Sequence, residues 1–467
     1  MSKRVVVIGG GPGGYAAAID LAHLGMEVTL IEKNRIGGTC LNVGCIPTKC
    51  FVQAAHAYTD IKKAKTYGVS VDGDVIVDFG KTAKFKNKIV KQLTGGVAYL
   101  VQAAGCRIIE GTGKMLDTNT VEAVLADGSS EQITCDDIVL ATGSREMTIP
   151  GFETDGISVL NSTDILDIKA LPESITIIGG GVIGMEFASI FNAFGKKVTV
   201  VELTPRILPL EDTDISAALA EALRAKGVEI FTSTKANRIT ERTETSVSLE
   251  IIPEGEEARV ITSEKLLVCI GRRANMEDIG LEELGIEYNR KYIETNAQMQ
   301  TNVPNVYAIG DITKSPQLAH VAYHEAMVAA MTIAGKEATA DYHAIPGCIY
   351  SAPECARVGM TEQQARETFG DVQIVVEDFS GNGKAKIEQE AEGFVKLVID
   401  KATGRTVGCS IIGPKATELI AEPSLAVFAD MTAEEAAKNI NAHPSLSEMI
   451  GETFLAAIGM NLHSMKH

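Results

Sequence analysis

The sequence predicts an α/β protein made of two copies of one βαβ unit, a connecting segment and a C-terminal α+β region. Three observations predict it. "RVVVIGGGPGGYAAAIDLAHLGMEVTLIEK", from Arg4, is echoed by "SITIIGGGVIGMEFASIFNAFGKKVTVVEL", from Ser174, so that Gly9, Gly11 and Gly14 fall on Gly179, Gly181 and Gly184. The correspondence continues through Gly25 and Gly195, Val28 and Val198, and Glu32 and Glu202, and a repeat of this length defines one structural unit used twice. From about His343 the pattern changes to strands and hairpins, then to Ala-rich helices. Finally, 467 residues exceed what one hydrophobic core organises, so several domains are expected.

The first unit reads as a β-rich strand, a glycine turn, a helix ending near Gly25, and a second strand ending in Glu32. "GGTCLNVGCIPTKC" follows, with Cys40, Cys45 and Cys50, and "IPTK" opens a helix. Amphipathic helical tracts are expected around Phe51–Tyr67 and Lys81–Ala104. Short strands then lead to "CDDIVLATGSREMTIPG", an apolar strand running to Gly143. Pro150–Gly151 marks a boundary before the second unit. Beyond that unit, "KLLVCIGRRANME" is a strand ending near Gly271, and "VPNVYAIGDIT" a strand ending in Gly310–Asp311. The expected division is residues 1–146, 147–273, 274–342 and 343–467.

Composition narrows the function. Hydrophobic content of 45% and charged content of 22% are those of an ordinary globular chain. No apolar run reaches the roughly 18–20 residues of a membrane span. The opening "MSKRVVVIGGGPGG" has an apolar part too short for a secretory signal, which points to the cytoplasm. A net charge of −18 with no concentration of Lys and Arg argues against nucleic acid as a partner. Nine cysteines, an odd number scattered along a long chain, are not a secreted disulfide framework.

Both glycine fingerprints have the context that dinucleotide binding requires: a strand before, a helix after, and an acid beyond. The first glycine makes the turn, the second lets backbone approach a pyrophosphate at the helix N-terminus, and the third admits close helix–strand packing. Glu32 and Glu202 each stand 23 residues past the first glycine, where a carboxylate accepts from ribose hydroxyls and repels a 2′-phosphate. Glu202 therefore favours NAD over NADP, with Arg206 nearby not reversing it. Two such sites suggest two dinucleotides, and FAD with NAD is the natural pair. Asp311 is a candidate for a second part of a cofactor site.

Cys40 and Cys45 lie between glycines just ahead of a helix. No further Cys or His pair has metal-like spacing, which argues against zinc, and no metal is expected. A redox pair fits if Gly44 permits an irregular turn. At the helix N-terminus the Cys45 thiolate would be stabilised by the dipole and by Lys49 one turn on. Cys50 and the other cysteines read as small buried hydrophobes. Dithiol chemistry needs proton transfer, and "NAHPSLSEMIGE" offers His443 with Glu448 five residues on. A flavin- and nucleotide-binding protein without turnover is a rival reading. The thiol pair together with His443 and Glu448 disfavours it, because a sensor needs no acid–base pair.

Together "GGTCLNVGCIPTK", the twin fingerprints, "ATGSRE", "YAIGD" and "HPSLSE" resemble the flavin-dependent pyridine nucleotide–disulfide oxidoreductases across essentially the whole chain. Within that family the likeness is greatest to its dihydrolipoamide-oxidising branch. The resemblance implies two Rossmann-like domains, binding FAD and then NAD, a central segment completing the FAD site, and a C-terminal α+β dimerisation domain. It implies Cys40 as the interchange thiol and Cys45 as the thiol facing the flavin in a charge-transfer contact, with Lys49 near the flavin N5. His443 and Glu448 would act from the other subunit of a homodimer. Gly9, Gly11, Gly14, Glu32, Gly143 and Asp311 would serve FAD. Gly179, Gly181, Gly184 and Glu202 would serve NAD, with Glu186 near the nicotinamide, and Gly271 and Ala319 are further cofactor-binding candidates. The implied substrate is dihydrolipoamide or a lipoyl-bearing protein of a 2-oxoacid dehydrogenase or glycine cleavage complex; the alternative is NADH-dependent reduction of another small disulfide.

Relatives differ at named residues. Glutathione reductases end the second fingerprint in Ala and follow its strand with arginines, where this chain has Gly184 and Glu202. Mercuric reductases and the larger thioredoxin reductases carry a C-terminal cysteine pair, which the tail "GMNLHSMKH" lacks. This chain departs from the family in "QLAHVAYHEAM" after Ala319–His320, in Thr48 where Ser is common, and in the extra Cys355.

Overall fold

Strand β1 (Arg4–Ile8) is buried at every position after Arg4, as a parallel strand covered on both faces must be. In the computed structural model, which describes residues 2–463, it leads through the glycine turn into helix α1 (Pro12–His23) and strand β2 (Glu27–Glu32). Pro12 opens α1, where its missing N–H costs nothing. Helices α2 (Gly38–Val43), α3 (Cys45–Lys63) and α4 (Phe79–Ala103) follow. After them come strands β3 (Arg107–Asp117), β4 (Thr120–Leu125), β5 (Ser130–Thr134) and β6 (Asp137–Leu140). The sheet runs in the order Val306–Ala308, β6, β1, β2, β3, β4, β5. Its first five strands are parallel and the last two pairings antiparallel. With β1 flanked by β2 on one side and β6 on the other, the crevice at its C-terminal end is the place such sheets use for ligands.

The second unit repeats this around Ser174–Ile178, which pairs in parallel with Lys197–Val201 on one side and Lys265–Val268 on the other. Glu229–Phe231 and Val159–Leu160 complete the five-stranded sheet. Helices α5 (Val182–Ala193) and α6 (Thr213–Ala225) belong to it, and helix α7 (Ala319–Ile333) packs on α1 of the first unit. A separate antiparallel sheet of Thr234–Arg242, Val247–Pro253 and Arg259–Ser263 stands beside the second unit, an element the sequence reading did not anticipate. The C-terminal region is a five-stranded antiparallel sheet, Gly347–Ile349, Glu354–Gly359, Thr406–Gly413, Phe394–Asp400 and Val372–Asp378, backed by short helices ending in Glu448–Ala457.

Two seams position the chemistry. Phe51, Val52 and Ala55 of α3 share one core with Met185, Phe187 and Ala188 of α5 and with Ile349 and Ile412, so the helix that starts at Cys45 is packed against the second unit and the C-terminal sheet. Near the second unit, Lys396 is 3% exposed and meets Asp214 and Glu362 at 2.8 Å and Asp212 at 3.4 Å. A lysine this buried is stable as a cation only because three carboxylates surround it. Among the described residues no helix is long and apolar enough to cross a membrane.

Candidate active site

The two glycine loops are built alike. Gly9 (φ 108°) and Gly179 (φ 111°) adopt a left-handed conformation, and a Cβ on either would lie 2.2 Å from the carbonyl oxygen of Ala141 or Cys269. Gly14 and Gly184 are excluded from carrying a side chain by the carbonyls of Gly9 and Gly179, at 1.8 and 2.0 Å. The middle glycines differ. Gly11 and Gly181 have ordinary φ values of −71° and −76°, and a Cβ on Gly181 would meet nothing within 4 Å. Neither backbone strain nor protein crowding requires glycine at Gly181, and the space beside it at the helix end is open. α1 and α5 have no side-chain cap and no acid in the first turn, which leaves their N–H groups to an anion. A pyrophosphate fits both loops.

Glu32 and Glu202 each bind backbone of their own unit. The Gly10 N–H donates to Glu32 Oε2 (2.6 Å) and the Asn34 N–H to Oε1 (2.7 Å). The Gly180 N–H donates to Glu202 Oε2 (2.5 Å), and the Thr204 N–H and hydroxyl donate to Oε1 (2.7 Å each). Each carboxylate thus fastens its own glycine loop while remaining at the strand end. Arg206 donates to the carbonyls of Glu211 and Pro209, which ties its guanidinium to its own loop.

Cys40 lies in α2, a helix of six residues, and Cys45 is the first residue of α3. Gly44 separates them at φ −139°, ψ −116°, and a Cβ there would sit 2.9 Å from the Thr39 carbonyl oxygen. The irregular turn is therefore present, with the difference that Cys40 is itself helical. Both are free thiols, and each is the other's strongest electrostatic neighbour. The pair is electrically unequal. The neighbouring Cys40 thiol draws the Cys45 pKa down to about 6, against desolvation, with Lys49 assisting and Glu186 opposing. Cys45, and then burial, push Cys40 far up. The surroundings therefore favour the thiolate at Cys45 and the thiol at Cys40. The sequence reading credited the helix end and Lys49, but the partner thiol contributes most.

Lys49 Nζ lies 2.9 Å from both oxygens of Glu186, a buried residue of α5, and 4.5 Å from the centre of the Tyr350 ring. Glu186 also accepts from the Tyr350 N–H (3.1 Å). Two sequence candidates, one from each unit, thus form one ion pair. Gly143 (φ 69°) and Gly271 (φ 116°) stand where the strands Ser144–Glu146 and Arg272–Ala274 pair between the units. The Ser144 hydroxyl donates to Asp311 and accepts from Arg272 Nε (2.8 Å), and Arg272 reaches Thr39 Oγ1 at 3.5 Å. Ala319 opens α7.

His443 Nδ1 and Glu448 Oε1 are 2.7 Å apart, and Glu448 Oε2 accepts from the Ser445 N–H (2.8 Å). The turn is held by Asn382, which donates to the Ser445 carbonyl (3.0 Å). Burial raises Glu448, but the Ser445 N–H and His443 outweigh it and hold the carboxyl below its usual range. The His443 side chain is 81% exposed. The structure thus joins His443 to Glu448, and Cys40 to Cys45, Lys49 and Glu186, as two separate groups within one chain. Ser144, Arg272, Tyr350 and Thr39 were not singled out in the sequence. The polar residues directly after the strand-end glycines of "ATGSRE" and "CIGRRAN" were the available signal.

Two nucleotide-type glycine loops and an unequal thiol pair between them define a class: a nucleotide-linked oxidoreductase acting on thiols and disulfides. Comparison with known proteins gives the same class. Residues 3–326 match the pyridine nucleotide-disulphide oxidoreductase family, and residues 345–454 its dimerisation domain. The chain belongs to that family. It is 40% identical to a dihydrolipoyl dehydrogenase of Bacillus subtilis (strain 168) over 461 residues, 98% of this chain and 100% of that one. It is 42% identical to the dihydrolipoyl dehydrogenase of Geobacillus stearothermophilus over 464 residues, 99% and 98% of the two chains. Among solved structures it is similar to LpdA from Mycobacterium tuberculosis, with a TM-score of 0.90 at 27% identity over 97% and 99% of the chains. It is also similar to the HOCl-induced flavoprotein disulfide reductase RclA from Escherichia coli, with a TM-score of 0.84 at 28% identity over 97% and 99%.

Proposed function

We propose that the chain is an FAD-dependent enzyme that oxidises dihydrolipoamide with NAD⁺, the activity named for its full-length relatives. The observation that carries this reading is the placement of Cys40 and Cys45 on either side of Gly44, at the start of the helix whose Lys49 pairs with Glu186 of the second unit. Residues 1–146 and 274–342 would hold FAD through Gly9, Gly11, Gly14, Glu32, Lys49, Gly143, Asp311 and Ala319. Residues 147–273 would hold NAD through Gly179, Gly181, Gly184, Glu186, Glu202 and Gly271. FAD, when bound, supplies the two-electron chemistry that links a dithiol to NAD⁺.

The chain's own residues do the rest. In the oxidised state Cys40 and Cys45 share a disulfide. A substrate thiolate attacks Cys40 Sγ, forming a substrate–Cys40 bond and releasing Cys45 as thiolate. The second substrate sulfur then displaces Cys40, closing the substrate disulfide, and Cys40 takes a proton. The reduced pair has the charge distribution described above. His443, oriented by Glu448, accepts the proton that makes the substrate a nucleophile. The exposure of His443 within one chain and the match of residues 345–454 to a dimerisation domain support a homodimer, with His443 of one subunit serving the thiols of the other. The substrate is free dihydrolipoamide or a lipoyl group on a protein of a 2-oxoacid dehydrogenase or glycine cleavage complex, in the cytoplasm.

The test is NADH formation by the purified yellow protein. Rapid turnover with dihydrolipoamide and NAD⁺ is expected. Turnover confined to NADH-driven reduction of some other disulfide would overturn the substrate while leaving the thiol pair in place.

A further inference from the structure

Tyr15, near the start of α1, and Tyr323, near the start of α7, are 308 residues apart in sequence, and their hydroxyls are hydrogen-bonded, with ring centres 5.9 Å apart. Neither residue has a part in the chemistry described above. The pair stands beside the thiols for a structural reason. α1 and α2 are fastened at their N-terminal ends: the Gly37 N–H donates to the Gly10 carbonyl (2.8 Å), and a Cβ on Gly38 would lie 2.6 Å from Gly11 Cα. Tyr15 is one turn beyond Gly11, its N–H donating to the Gly11 carbonyl (2.9 Å), and Cys40 is two residues beyond Gly38. Tyrosine pair and thiol pair therefore flank one junction. In keeping with this, Cys40 acts electrostatically on both phenols and Cys45 on Tyr323. Burial pushes both hydroxyls above their ordinary pKa, so they stay neutral and protonated.

Two hydroxyls joined by one hydrogen bond hold two protons and use one between them, so one O–H of the pair is left over for another acceptor. Tyr323 is 39% exposed, so part of it is open to contact with another molecule. The cations of the site are already matched with carboxylates: Lys49 with Glu186 at 2.9 Å, and Arg272 with Glu146 at 3.8 Å. A disulfide or dithiol bearing carboxylates would find neutral phenols and neutralised cations.

We propose that the Tyr15–Tyr323 pair forms the wall on which an uncharged aliphatic dithiol is seated, with Tyr323 as a substrate-positioning residue. Its ring covers the aliphatic chain, and the spare hydroxyl proton is donated to a substrate sulfur. The inference rests on the dithiol-oxidising function proposed above and names the substrate class of that site. It also gives a role to the segment after His320, where the chain departs from its family.

Tyr323→Phe keeps the ring and removes one hydroxyl. Losing a hydrogen bond that is made equally to bound substrate and transition state raises KM and spares kcat. The expected result is a KM for dihydrolipoamide raised about 3- to 10-fold, the range of a single neutral hydrogen bond, with kcat kept within about twofold. NADH-to-dye turnover, which bypasses the dithiol, is the control for folding and flavin content and should match wild type. An unchanged KM, or a loss shared equally by the dye reaction, would overturn the proposal. If wild type turns over dihydrolipoamide and the Tyr323→Phe KM is unchanged, this inference alone fails. If wild type does not turn it over, the functional reading fails and this inference with it.

Discussion

Cys40→Ala should raise the pKa of Cys45 by roughly 1–2 units. In the reduced protein the Cys40 thiol is the largest influence lowering Cys45, which lies at about 6 against an ordinary thiol at 9.0. A hydrogen bond to a charged acceptor is worth about 1.5–3 kcal/mol, and about 1.36 kcal/mol corresponds to one pKa unit. Lys49 and the α3 N-terminus remain in the variant, so Cys45 should not return to the ordinary value. The sign is that of a depressed acid: the thiolate is present above about pH 6 and lost as pH falls through it. The assay is the rate of alkylation of reduced protein from pH 5 to 9, with peptide mass spectrometry assigning the modified residue. Wild type should show a Cys45 midpoint near 6 and slow Cys40 throughout, because only thiolates react. Cys40→Ala should move the midpoint to roughly 7–8 by the same conversion. An unmoved midpoint would refute the partner thiol as the cause. A wild-type midpoint near 9, or faster labelling of Cys40, would refute the charge assignment itself.

Other consequences follow from the same geometry. Gly181→Ala has open space for its Cβ, so it should cost no more than about 1 kcal/mol of stability yet raise the KM for NAD⁺. Gly14→Ala, with a carbonyl at 1.8 Å, should cost bound flavin and yield; equal behaviour of the two in thermal unfolding and NAD⁺ kinetics would contradict the loop account. His443→Gln should slow dihydrolipoamide oxidation by about 10²–10⁴-fold with little change in NADH-to-dye turnover, whereas equal slowing of both would remove His443 from proton transfer. Lys396→Met strands the buried Asp212 beside Asp214 and Glu362, and should cost about 3–5 kcal/mol in urea unfolding. An unchanged urea midpoint would show that those carboxylates relax without it.

Much of the site could be read from residue order, because its parts are local. The glycine fingerprints place turn, phosphate approach and helix packing within six residues, and Glu32 and Glu202 end the next strand. Cys40, Cys45 and Lys49 lie within one short stretch, and His443 lies five residues from Glu448. What escaped were pairings made by folding between residues with no local signature. Lys49 and Glu186 were each singled out, but their ion pair spans 137 residues. Ser144 and Asp311 are 167 residues apart, and Tyr15 and Tyr323 are 308. Helix α2 was missed because six residues between two glycines are too few to display a helical period. The antiparallel sheet beside the second unit was missed because its edge strands alternate weakly and are largely exposed.

The central claim is that the Cys40–Cys45 pair carries electrons between a dithiol and NAD⁺. The most direct test is to mix anaerobic oxidised protein with one equivalent of dihydrolipoamide, quench with an alkylating reagent, and map the cysteines before and after NAD⁺ is added. Cys40 and Cys45 should begin as a disulfide-linked peptide pair, become two alkylated thiols with dihydrolipoamide, and return to the disulfide as NADH appears in stoichiometric amount. NADH formed while the pair stays unchanged would contradict the claim.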